Sequence, residues 1–201
     1  MGKQLENRAL TREALLTAFW TLYRQKRIEK ITIKDITQLA GYNRGTFYDH
    51  FTDIYDALEQ LQNSLLDDFR KAIEQARSRN PNQGLIEYIE YVAYTTLMKN
   101  DYFRVFLGEN RDPNFPDKMK AILRPAFFEV WGITEEDENA DLIFEFAISA
   151  LIGALCYRFK NEEKISYEKF VPTIRALMTN GVFTELLKMS RHPDLLMSLK
   201  E

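Results

Sequence analysis

Gly41-Tyr42-Asn43-Arg44-Gly45-Thr46-Phe47-Tyr48-Asp49-His50-Phe51 is the stretch on which the reading of this chain turns. Ahead of it, Thr32 is suited to cap a short helix, Ile33 to Ala40, with Ile33, Ile36 and Leu39-Ala40 expected to face inward. Gly41 stops that helix, because glycine accepts the left-handed backbone that follows a helix end. Asn43 is a good cap for a third helix running to about Phe51. Two short helices joined by a glycine-containing turn make a helix-turn-helix.

In that motif the second helix enters the major groove of a duplex with its N-terminal residues at the base edges. Those residues here are Asn43, Arg44, Gly45 and Thr46. Arg44 can fork onto the O6 and N7 of a guanine. Gly45 has no side chain to hold the backbone away from the duplex. Thr46, Tyr48 and His50 offer donors to phosphates, which set register without reading sequence. Phe47 and Phe51 are expected on the other side as core anchors. The plainer alternative leaves every ring in the core and Arg44 solvated.

Working outward, Thr11 can cap a first helix with Leu15, Ala18, Phe19, Leu22 and Tyr23 at helical spacing. Asp53 can cap a long fourth helix, with Ile54, Leu58, Leu61, Leu65, Phe69 and Ala72 on one face to about Arg77. Charge separates the two parts of the chain. Residues 1–52 hold nine Lys/Arg against five Asp/Glu, a surplus of four positive charges. The remainder holds 18 against 25, which brings the whole chain to −3. A basic head on an acidic body suits an anionic partner for the head.

Composition bounds the class. The 201 residues are 45% hydrophobic and 28% charged, ordinary for a globular protein, with only 8 Gly and 6 Pro. One cysteine, Cys156, excludes an internal disulfide and suits a reducing compartment; it is expected as a small core residue. The first residues lack the apolar core of a signal peptide. The longest uncharged apolar run, Phe146 to Tyr157, is too short to span a bilayer. A cytoplasmic protein without a membrane partner is the expectation. His50 and His192 are far apart and belong to no metal-ligand spacing, and no nucleophile or phosphate-loop signature is present. The acidic run Glu135 to Glu138 reads as a charged helix start. No enzyme, metal or cofactor is expected.

The stretch from Ile31 to Leu58 resembles the DNA-binding signature of the TetR family of bacterial transcriptional regulators. Thr32, Ile33, Ile36, Ala40, Gly41, Gly45, Thr46, Phe47, Tyr48, His50, Phe51 and Leu58 carry the likeness. The resemblance implies an all-α homodimer. Three N-terminal helices bind DNA (residues 1–60), and a helical ligand-binding and dimerisation domain follows (61–201). It implies that Thr32, Thr46, Tyr48 and His50 contact the phosphate backbone while Tyr42, Asn43 and Arg44 face bases of a palindromic double-stranded operator. The sequence departs from the family at Ile54, where a Lys that often contacts phosphate usually stands, and Lys34 or Lys30 is the candidate to compensate. The family's usual Val-Ser in the turn is Tyr42-Asn43 here, so the operator sequence is not inherited from relatives.

The body carries no comparable signature. Its expected helices open at Asn80-Pro81 (with Leu85, Ile89, Val92 and Leu97 on one side) and at Asp101. A loop spans Glu109 to Pro116. A periodic helix follows from Met119 to Trp131, kinked by Pro125 and stopped by Gly132. Thr134 with Asp137 is expected to open a helix to about Phe159, and Pro172 to sit in the first turn of the last. Tyr91, Tyr94, Phe103, Phe106, Phe127, Phe128, Trp131 and Phe144 supply rings for a pocket that would take a small apolar or aromatic effector. Plain core packing is the alternative. The uncharged run, with Phe146, Ala150, Gly153, Ala154 and Tyr157, is expected at the dimer interface together with Ile174, Leu177 and Met178. The resulting expectation is a sequence-specific DNA-binding transcriptional regulator, a repressor released by its ligand. The open alternatives are an activator, a regulator answering to a partner protein, and a helical module that binds protein and not DNA.

Overall fold

The computed structural model describes residues 2–79, 100–108, 112–131, 134 and 136–181. The helix expected from Asn80, the rings Tyr91 and Tyr94, the side chain of Trp131 and Gly132 lie outside the described residues. Among those residues the chain is helical throughout, with no strand.

Helix α1 spans Gly2–Tyr23, and a short 3-10 turn, Ile28–Lys30, leads into α2, Ile33–Ala40. Thr11 is not a cap. It lies inside α1, where its hydroxyl donates to the Asn7 carbonyl at 2.9 Å, and the helix starts nine residues earlier. A threonine that bonds back one turn is tolerated mid-helix, so its presence does not mark an end.

Thr32 caps α2 as expected, and Gly41 ends it at φ 76°, its N–H bonded to the Thr37 carbonyl. One inward assignment needs correcting: Leu39 is 54% exposed. The buried face of α2 runs through Ile33, Ile36, Thr37 and Ala40, which is helical spacing once Thr37 is admitted. Thr37 is 5% exposed, and its hydroxyl is satisfied by the carbonyls of Ile33 (3.0 Å) and Lys34 (3.2 Å). A hydroxyl bonded to its own helix can take a core position that apolar counting reserves for leucine.

Helix α3, Arg44–Tyr48, is shorter than the sequence suggests. Its hydrogen bonding loosens into turns at His50 and Phe51, both reaching back to the Phe47 carbonyl. Helix α4, Ile54–Arg79, starts under Asp53, whose Oδ1 accepts from the N–H groups of Tyr55 (2.8 Å) and Asp56 (2.9 Å). The body then holds α5 (Asp101–Leu107), α6 (Phe115–Trp131), α7 (Ala140–Lys160) and α8 (Tyr167–Asn180). Asn100 caps α5, accepting from the Tyr102 N–H at 2.9 Å.

Pro125 is exposed and lies inside α6, which runs on to Trp131. On that side water can take the Ala121 carbonyl that loses its helical donor. Thr134 and Asp137 do pair, Asp137 Oδ2 accepting from the Thr134 N–H at 2.6 Å, but they close a turn ahead of the helix. Asn139 then takes a left-handed backbone (φ 64°), and α7 begins only at Ala140. Pro172 lies in the second turn of α8, not the first, because Ser166 already accepts the opening bonds from Lys169 and Phe170. Gly181, at φ 80°, ends α8.

One continuous core runs from head to body. Leu15 and Phe19 of α1, with Ile36, Phe47 and Phe51, belong to its head part, all at most 2% exposed. Farther along α1, Trp20 lies 4.1 Å from the Tyr102 ring and Tyr23 lies 5.7 Å from Phe106, so α5 packs on the first helix. Burial first, with Asp112 and Glu29 nearby, pushes the Tyr23 phenol up to about 12. Gln62 of α4, 1% exposed, accepts from Lys118 Nζ (2.8 Å) and donates to Asp112 (2.6 Å), which ties α4 to α6. Helix α7 packs against α5, α6 and α8. Its 21 residues are long and apolar enough to cross a bilayer by length and composition, a test that the core helix of a soluble protein also passes. The same helix buries Phe144, Ile148, Ile152, Leu155, Cys156 and Phe159 in the core.

Candidate nucleic-acid interface

Each helix of the α2–α3 pair is capped at its start by side chains that the sequence places there. Thr32 Oγ1 accepts from the Asp35 N–H at 3.1 Å while Asp35 Oδ2 accepts from the Thr32 N–H at 3.1 Å, a reciprocal capping box. Lys26 adds its ammonium to the same oxygen at 3.0 Å, which ties the turn after α1 to the start of α2. The Lys26 bond and then the Thr32 bonds hold the Asp35 carboxyl below its usual range. Across the turn, Asn43 Oδ1 accepts from the Thr46 N–H (2.9 Å) and from its hydroxyl (3.2 Å). A Cβ on Gly45 would stand 3.1 Å from that same oxygen, so this glycine also makes room for the cap.

The residues expected at DNA fall within this unit. Thr32, Lys34, Tyr42, Asn43, Arg44, Gly45 and Tyr48 are exposed; Thr46 and His50 are half-buried. Phe47 (0% exposed) and Phe51 (2%) anchor the opposite side, their ring centres 5.3 Å apart. Arg44 Nη2 donates to the Tyr48 hydroxyl at 2.9 Å, with the guanidinium 5.5 Å from the Tyr48 ring centre.

At the other end of α3, the geometry adds two residues that sequence reading passed over. Arg8 Nη2 donates to the Asp49 carbonyl at 3.2 Å. Arg12 forks onto Gln60 Oε1 at 3.1 and 2.8 Å, and Gln60 donates to Asp56 (3.0 Å) and to the His50 carbonyl (3.4 Å). Positions 8 and 12 are one helical turn apart, a spacing that puts two cations on one face of α1. Burial lowers the pKa of His50 first, and the charges of Arg8 and Arg12 lower it further against Asp49. Ile54, at the position of the family's lysine, is half-buried and packs against the core, while Lys30 and Lys34 are exposed.

In the body, the expected pocket rings among the described residues fall into two packed groups. Phe103 and Phe106, both 0% exposed, meet Phe115 at 5.9 and 4.8 Å. Phe127 and Phe128 meet Phe144 at 5.3 and 6.2 Å, and Arg124 lies 4.4 Å over Phe128. The residues expected at a dimer interface lie elsewhere. Phe146 is 71% exposed and Tyr157 is 59% exposed; Ala150 and Gly153 are exposed between them, and Ala154 is half-buried. Leu142, 67% exposed, extends this stripe along α7. No side chain of α8 is fully buried; Ile174 and Leu177 are half-buried and Met178 is exposed. Among the described residues, no three His, Cys, Asp or Glu side chains gather as a metal site.

A capped helix pair that exposes the N-terminal residues of its short second helix, on an all-helical body, defines a helix-turn-helix architecture. The fold is that of the TetR-type transcriptional regulators. A TetR transcriptional regulator from Streptococcus agalactiae 2603V superposes with a TM-score of 0.65 at 23% identity, covering 85% of this chain and 97% of that one. The fatty acid degradation regulator FadR from Bacillus halodurans gives 0.61 at 13% identity, over 86% and 96% of the two chains. In sequence, the chain is 28% identical over 162 residues to the uncharacterized HTH-type transcriptional regulator YxbF of Bacillus subtilis (strain 168). That match takes in 78% of this chain but only 41% of YxbF, so the chain spans about two fifths of that relative's length. No protein-family model matches the chain.

Proposed function

We propose that the chain is a TetR-family transcriptional regulator that binds a palindromic operator as a homodimer, represses from it, and is released by a small apolar or aromatic effector. Residues 1–60 are the DNA-binding head and 61–201 the regulatory and dimerisation body. The observation that carries this reading is α3 itself, a helix of five residues fixed by the Asn43 cap and the Phe47 anchor with Arg44 exposed at its start. Arg44 reads a base edge; Tyr42 and Asn43 lie beside it. Thr32, Lys34, Thr46, Tyr48 and His50 hold the phosphate backbone, with the backbone of Gly45 close to the duplex.

The exposed stripe of α7, joined by Ile174, Leu177 and Met178 of α8, forms the isologous contact with the second copy. It leaves a cytoplasmic dimer with its two recognition helices on one face of the duplex. Control runs through α4, which starts at Ile54 beside α3 and is tied to α6 by Gln62, and through the Trp20–Tyr102 contact. An effector among the rings of the body shifts these contacts and so the separation of the two recognition helices. The coupling is reciprocal: a ligand that weakens operator binding is weakened equally by operator.

The test is selection of a fully randomised duplex pool by the purified protein. The expected product is an inverted repeat whose half-site centres lie roughly 34–36 Å apart, or a multiple of that. Recovery of no enriched sequence, with no salt-sensitive duplex binding, would support the reading as a protein-binding module instead.

A further inference from the structure

We propose that Arg44 and Tyr48 act on DNA as one unit, the guanidinium on a base edge and the phenol on a neighbouring phosphate, joined by the hydrogen bond between them. The inference rests on the DNA-binding reading above and assigns Tyr48 a role in specificity, beyond holding the backbone.

Residues 44 and 48 are one turn apart on α3 and so are neighbours on its surface. Arg44 Nη2 donates to the Tyr48 hydroxyl at 2.9 Å, and the ring lies 5.5 Å from the guanidinium carbon. The other polar side chains of this short helix are committed to its cap. Asn43 Oδ1 accepts twice from Thr46, whose hydroxyl is one of the two donors. Arg44 and Tyr48 are exposed and bonded to each other.

The donor arithmetic favours a relay. A guanidinium has five N–H groups, so one spent on Tyr48 leaves a two-donor edge for the O6 and N7 of guanine. The phenol oxygen accepts from Arg44 and keeps its own proton, which is free to go to a phosphate oxygen. A hydroxyl that accepts from a cation is polarised and becomes a better donor. The phenol and ring also restrict the flexible arginine before DNA arrives, which lowers the ordering cost of the base contact. An independent phosphate contact by Tyr48 would have none of these consequences for base choice.

The experiment is a double-mutant cycle with Arg44→Ala, Tyr48→Phe and the double variant. Fluorescence anisotropy would compare a duplex selected by the wild type with a scrambled duplex of the same composition. The readout is discrimination, the ratio of the two affinities. Tyr48→Phe is expected to lower discrimination by about tenfold, an effect of about 1.4 kcal/mol. The double variant is expected to discriminate no worse than Arg44→Ala alone. Equal losses on both duplexes from Tyr48→Phe, or discrimination losses that multiply in the double variant, would overturn the relay and leave the DNA-binding reading standing. A wild type that selects no sequence overturns both. Matching thermal melts of the four proteins show that the effect is not one of folding.

Discussion

Phe146→Ala should break the dimer, and the size of the effect follows from exposure. Phe146 is 71% exposed in the single chain, on a stripe of α7 that also presents Leu142, Ala150, Gly153 and Tyr157. Burying a whole Phe side chain contributes about 1.5–3 kcal/mol, so the exposed part contributes about 1–2 kcal/mol when a second copy covers it. A two-fold contact uses the residue twice, which doubles the loss to about 2–4 kcal/mol and weakens the dimer by about 30- to 1,000-fold. Sedimentation velocity over a dilution series measures that shift. Gly153→Arg is a second probe: an added Cβ there meets nothing within 4 Å in its own chain, so the variant should fold and give monomers. A wild type that sediments as a monomer, or a dissociation constant unmoved by Phe146→Ala, would refute the interface.

Two further outcomes concern the head. Thr32→Ala opens the capping box of α2 and should cost about 1 kcal/mol in urea denaturation; an unchanged midpoint would mean that the Lys26–Asp35 pair alone holds the helix start. The pKa of His50 lies below its ordinary 6.5, chiefly through burial. The unfolded chain therefore binds more protons than the folded one between the two values. The contribution of His50 is full above pH 6.5 and is lost as pH falls through the folded pKa. His50→Gln should flatten the stability profile across that window, and a profile identical to wild type would remove His50 as its source.

Much of the head was legible because its signals are local. Thr32, Gly41, Asn43 and Asp53 each act within four residues, and all four sit at the helix ends that their chemistry suggests. Leu39 misled because apolar counting gave no place to a threonine bonded to its own backbone. Thr11, the Thr134–Asp137 pair and Pro172 misled for a related reason: each residue type suits a helix start but also occurs farther inside a helix or just outside one. What stayed hidden is long-range. Arg8 reaches a carbonyl 41 residues away, Arg12 an amide 48 away, and Lys118 a buried glutamine 56 away. No periodicity encodes such pairs. The exposure of the α7 stripe was invisible for the opposite reason, since an uncharged run reads alike whether its cover is its own chain or another.

The most direct measurement of the central claim is a titration of the selected duplex and its scrambled counterpart with wild type and Arg44→Ala, repeated between about 50 and 200 mM salt. The expected result is a loss of about 1–3 kcal/mol on the selected duplex alone, with salt-sensitive binding retained on both. Equal losses on the two duplexes, or wild-type binding that ignores both sequence and salt, would contradict a base-reading role for α3.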